Sequence, residues 1–67
     1  MAKIQLNGRK ITVGIKFSIF NLLKKYKIDS KKVAVELNNK IINKNKYKST
    51  YLKSKDKIEI VHFIGGG

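Results

Sequence analysis

Residues 58–67 read Ile58-Glu59-Ile60-Val61-His62-Phe63-Ile64-Gly65-Gly66-Gly67. The alternation at its start predicts a closing strand over 57–64, with Ile58 and Ile60 turned toward a core. Three glycines follow. Glycine loses the most conformational entropy when ordered and has no side chain to pack, so these residues add nothing to a core. They make a thin thread that fits a slot too narrow for side chains, and its terminal carbonyl carbon is open to attack. Chain ends also fray for no functional reason. The expectation is a folded domain over 1–64 and a flexible tail over 65–67, with Gly67 as the reacting end.

Working outward, Lys3-Ile4-Gln5-Leu6 and Lys10-Ile11-Thr12-Val13 alternate polar and apolar residues around Asn7-Gly8. Asn-Gly suits a tight hairpin turn because both residues tolerate positive φ. Residues 3–14 therefore read as a hairpin with Ile4, Leu6, Ile11 and Val13 facing one core. Ser18 is a good N-cap. Ile19, Leu22, Leu23 and Tyr26 then fall on one helical face, predicting a helix over 18–27 with Phe17 as a staple. Val33, Val35 and Leu37 mark a third strand, Asn38-Asn39 a turn, and Lys40-Ile41-Ile42 a short fourth strand. Residues 43–57 are polar and lysine-rich, with Tyr47, Tyr51 and Leu52 as anchors. In this order of elements the closing strand is central only if it lies beside the first strand and parallel to it. The fold class is α+β: a β-grasp, ubiquitin-like roll, a mixed sheet of four to five strands with one main helix packed on one face.

Sixty-seven residues make one domain. A chain of this size buries only about 60% of its unfolded surface, leaving little room for an enzyme's deep pocket. There is no cysteine and one histidine, so no metal site is expected. No apolar run is long enough to span a membrane, and no signal peptide opens the chain, so the expected compartment is cytoplasmic. The formal net charge is +12, from 15 Lys and one Arg set against four acidic residues. Lysines spread along the chain, with almost no arginine for bidentate contacts, read as a solvated coat more than a nucleic-acid surface, with a charge-guided protein partner as the remaining reading.

With tail, element order and length together, the chain resembles the ThiS family, the ubiquitin-like sulfur carriers of thiamine biosynthesis. The resemblance rests on Ile4-Gln5-Leu6-Asn7-Gly8, on Val33-Ala34-Val35-Glu36-Leu37-Asn38, and above all on residues 56–67. Two stretches depart from it. Where the family often has Val-Pro-Arg and then an aromatic, this chain has Ile42-Asn43-Lys44 and Tyr47. Where it often has Gly-Asp before the last strand, this chain has Lys55-Asp56.

The resemblance implies a protein co-substrate, not an enzyme, and no bound cofactor. An E1-like adenylyltransferase would spend ATP to adenylate the Gly67 carboxylate, and a sulfur donor would then convert it to a thiocarboxylate. Thiazole synthase would receive the sulfur. Gly65 and Gly66 would pass through the partner's active site. Val61 and Phe63, on the outward side of the last strand, are candidate docking residues. His62 is expected at a rim, and Glu36 and Glu59 at the surface. Three rival readings share the fold: a carrier for molybdopterin synthesis, a ubiquitin-like protein modifier, and a small RNA-binding domain.

Overall fold

A computed structural model describes residues 1–63 of the chain. The first hairpin forms as its alternation requires. Strands β1 (Ala2–Leu6) and β2 (Arg9–Val13) pair antiparallel, with Ile4 opposite Ile11. Asn7 and Gly8 both have positive φ, 50° and 82°, the hand that matches strand twist in a two-residue loop. Ile4 and Val13 are buried, and Leu6 and Ile11 pack half-buried at the core's edge.

Helix α1 (Ile19–Lys25) starts at Ser18, whose Oγ accepts from the Asn21 N–H at 3.0 Å. The Ser18 N–H donates to Asn21 Oδ1, also at 3.0 Å, so asparagine completes a reciprocal cap usually closed by Glu or Gln. The helix is shorter than its apolar spacing suggests. The Lys27 N–H donates to the Lys24 carbonyl and the Ile28 N–H to the Leu23 carbonyl. This paired closure, with Lys27 at φ 56° in glycine's usual place, is a Schellman stop. Tyr26 becomes the C-cap and is exposed, so it leaves the core face predicted for it.

A short 3-10 turn, Ser30–Lys32, leads into β3 (Val33–Leu37) and the two-residue β4 (Lys40–Ile41). The connection that follows holds a second 3-10 turn, Lys44–Lys46. Tyr47 and Leu52 anchor it as expected, 2% and 4% exposed. Tyr51 does not: its backbone bridges Ser18 while its side chain is exposed. The burial pattern explains why, since neighbours in an extended segment face opposite ways and Leu52 takes the inward position.

Strand β5 (Lys57–His62) closes the sheet; it ends before Phe63, and residue 64 of the predicted 57–64 lies outside the described residues. The strand order is β2-β1-β5-β3-β4, with β5 central, parallel to β1 and antiparallel to β3. Ile58 and Ile60 face the helix with Ile4, Val33, Val35, Ile19, Leu22 and Leu23. Among the described residues no helix covers the opposite face of the sheet.

Candidate functional site

The feature that organises the surface is how β5 is held. Its ladder with β1 is short: Gln5 pairs with Lys57 and Leu6 with Ile58, and then β1 turns away. Asn7 continues that ladder. Its N–H donates to the Ile58 carbonyl at 2.9 Å. Its side-chain Oδ1 accepts from the Ile60 N–H at 2.7 Å, and Nδ2 donates to the Ile60 carbonyl at 3.3 Å. A side-chain amide thus does the work of the peptide unit that β1 lacks.

The other edge of β5 is treated alike at its opposite end. Asn38, φ 52°, opens the β3–β4 turn. Its N–H donates to the Lys57 carbonyl at 2.8 Å and its Oδ1 accepts from the Lys57 N–H at 2.9 Å. Its Nδ2 donates to Asp56 Oδ1 at 3.0 Å, while Asp56 Oδ2 accepts from the Lys53 N–H at 2.7 Å. Asp56 is buried and these bonds satisfy its carboxylate. Asparagine suits both turns because it tolerates the left-handed region and carries a donor and an acceptor. Sequence reading saw both residues only as turn formers.

β5 is therefore fixed at its start by Asn38 and near its end by Asn7. Beyond Ile60 it leans on β3 alone, through the Ala34–Val61 and Val33–His62 pairs. Among the described residues the last bond along it is Phe63 N–H to the Lys32 carbonyl, 2.9 Å. Gly65, Gly66 and Gly67 lie outside the described residues.

Val61 and Phe63 come together at this end of the strand, on the face without a helix, 57% and 48% exposed. Phe63 is not packed away beneath the sheet. Lys44 Nζ stands 5.5 Å from its ring centroid and donates to the Lys31 carbonyl at 3.3 Å. Ile41, 73% exposed, shares the outward face through its pairing with Glu36, an exposed apolar residue not singled out from the sequence. Glu36 and Glu59 are direct cross-strand neighbours on that face, Glu59 exposed and Glu36 half-buried. His62, opposite Val33 at the sheet's rim, is exposed.

Among the described residues no group of three or more His, Cys, Asp or Glu is placed to hold a metal. No helix among them is long and apolar enough to cross a membrane. Burial pushes the Tyr47 phenol above its ordinary range, with a partial offset from a hydrogen bond to the Val35 backbone.

This architecture defines a ubiquitin-like β-grasp domain that presents the end of its central strand. The ThiS family model matches residues 4–67. The sulfur carrier protein ThiS of Bacillus subtilis (strain 168) is 43% identical over 68 residues, spanning 96% of this chain and 98% of that protein. The crystal structure of the thiamine biosynthesis protein ThiS from Geobacter metallireducens superposes with a TM-score of 0.82 at 31% identity, covering 97% of this chain and 99% of that one. A thiazole synthase of Paramagnetospirillum magneticum (strain ATCC 700264 / AMB-1) is 40% identical over 65 residues, 97% of this chain but only 20% of that protein. The chain belongs to the ThiS family. It is a small sulfur carrier of thiamine biosynthesis.

Proposed function

We propose that the sulfur is carried on the C-terminal carboxylate of Gly67. A carboxylate is a poor electrophile. In the first step its oxygen attacks the α-phosphorus of ATP and pyrophosphate leaves, giving an acyl-adenylate. In the second a hydrosulfide equivalent from a sulfur donor attacks the carbonyl carbon, the bond from that carbon to the AMP oxygen breaks, and loss of the sulfur-bound proton leaves a thiocarboxylate. Stabilising the charge that develops in these steps needs cationic or metal groups placed around the phosphates. Those groups, and the ATP, belong to an E1-like adenylyltransferase. Thiazole synthase then takes the sulfur, and the chain remains a co-substrate that binds no cofactor of its own. The exchange takes place in the cytoplasm.

The observation that supports this reading is the double clamp on β5. The strand that precedes the glycines is held by Asn38 at Lys57 and by Asn7 at Ile60, so the tail springs from a rigid base. Gly65 and Gly66 keep the approach narrow. Val61 and Phe63 are the apolar contacts beside the exit, where a partner gripping the tail meets the sheet.

Deleting Gly67 tests the assignment. The truncated chain should unfold at the same urea concentration as the full chain and take up no sulfur from ATP, donor and adenylyltransferase. Sulfur uptake by the truncated chain would overturn the reading.

A further inference from the structure

The helix-free face of the sheet has a second region, away from Val61 and Phe63. On the β2-β1-β5 side lies a shallow cleft of about 560 Å³, lined by Lys3, Lys10, Lys55 and Lys57 with Gln5 and Thr12 between them, and by Ile4 and Ile11. Register explains the grouping. Gln5 has Lys10 beside it on β2 and Lys57 beside it on β5, and Lys3 lies opposite Thr12. Lys55 joins from the turn, where its N–H donates to the Lys3 carbonyl at 2.8 Å. No carboxylate lines the cleft. Asp56, next in sequence, is turned inward and bonded to Asn38 and the Lys53 N–H. The nearest outward acid along β5 is Glu59, which faces Glu36 on its other side.

We infer that this lysine cleft is an electrostatic docking face for an acidic surface on the adenylating partner, on the same sheet face as the Val61–Phe63 contact and separated from it by Glu59. The inference rests on the carrier reading and deepens it by stating the partner's charge. The spacing suits one interface. Strands about 4.8 Å apart put Lys10 and Lys57 roughly 10 Å apart across Gln5, and four residues of strand put Val61 about 13 Å beyond Lys57. An ordinary interface patch of about 800 Å² per partner spans both regions. The chemistry favours protein over RNA. The cleft is lined by neither an aromatic ring to stack a base nor an arginine to fork a phosphate. Lysines act as point charges on flexible stems, which suits steering of a complementary surface more than geometric readout.

The test is the association rate of the full-length chain with its purified adenylyltransferase, followed by stopped flow at about 0.01 M and about 0.15 M ionic strength. One variant carries K3Q, K10Q, K55Q and K57Q. A control loses the same charge elsewhere, with K24Q, K25Q, K46Q and K48Q, all exposed positions. The cleft variant should associate at least tenfold more slowly than wild type at the lower salt, with a flattened salt dependence, while the control changes by less than threefold. Equal slowing of both variants would assign the effect to net charge and overturn the inference, as would an unchanged rate for the cleft variant. A 20-nucleotide RNA probe that binds wild type and not the cleft variant, with enzyme association unaffected, would give the cleft to nucleic acid instead. Sulfur uptake at saturating enzyme reads the carrier function separately. Uptake by the cleft variant alongside unaltered association would sink this inference and leave that function standing.

Discussion

The side-chain amide of Asn7 is hydrogen-bonded through both its oxygen and its nitrogen to the backbone of Ile60, at 2.7 and 3.3 Å. These two bonds hold the central strand past the point where β1 turns away. Replacing Asn7 by glycine keeps the positive φ and deletes both bonds, and should cost about 1–2 kcal/mol in urea unfolding. Replacing it by alanine adds the strain of the left-handed conformation, about 1 kcal/mol more. Hydrogen exchange localises the effect: the Ile60 amide should lose protection in both variants before the β3–β5 amides do. Unchanged protection at Ile60 would contradict the clamp.

Lys27 and Lys55 sit at φ 56° and 76°, where glycine is at ease. Lys27 closes the helix and Lys55 lies in the turn before β5. Lys27→Gly and Lys55→Gly should each raise stability by about 0.5–1 kcal/mol, net of glycine's own entropy and, at Lys27, of a lost helix-end cation. In a domain of this size that is a rise of several degrees in Tm by calorimetry. A fall in Tm for Lys27→Gly would show that the lysine makes a contact worth more than the strain it bears.

Burial raises the Tyr47 phenol above its ordinary value of 10.0. A raised value favours the neutral phenol in the folded state. Its contribution is therefore complete below about pH 10 and is lost as pH climbs through the folded value. Tyr47→Phe cannot ionise. The stability gap between the two proteins should thus shift in favour of Tyr47→Phe as pH rises above about 10, measured by urea unfolding across that range. A gap constant with pH would mean the phenolate finds solvent without unfolding.

Val61 and Phe63 are exposed beside the strand's end, so their loss should leave the fold intact. Val61→Asp and Phe63→Ala should each weaken adenylyltransferase binding about tenfold or more by titration calorimetry, with urea midpoints near that of wild type. Wild-type affinity in both variants would remove them from the interface.

Much of this architecture is readable from local signals. Asn7-Gly8, the alternations around it, Ser18, and Ile58 with Ile60 each report their own neighbourhood, and each formed as read. The parallel β1–β5 pairing followed from element order alone. What escaped depends on partners distant in sequence. The clamp from Asn7 spans 53 residues to Ile60, and that from Asn38 spans 18 to Asp56. Nothing in the spacing of asparagines encodes either. Tyr26 kept the helical period but fell where the chain was already leaving the helix, because lysine occupies a stop that sequence reading expects to find marked by glycine. The exposure of Val61 and Phe63 was legible because a central strand must expose one of its faces when the described helix covers the other. The expectation for Gly67 rests on chemistry alone, and that residue lies outside the described residues.

The most direct test of the account is the intact mass of the full chain after incubation with ATP, a sulfur donor and the adenylyltransferase, followed by mapping of the modified peptide. The account predicts a gain equal to exchange of one oxygen for one sulfur, confined to the peptide that ends at Gly67 and absent without ATP. Sulfur located on any other residue, or gained without ATP, would contradict it.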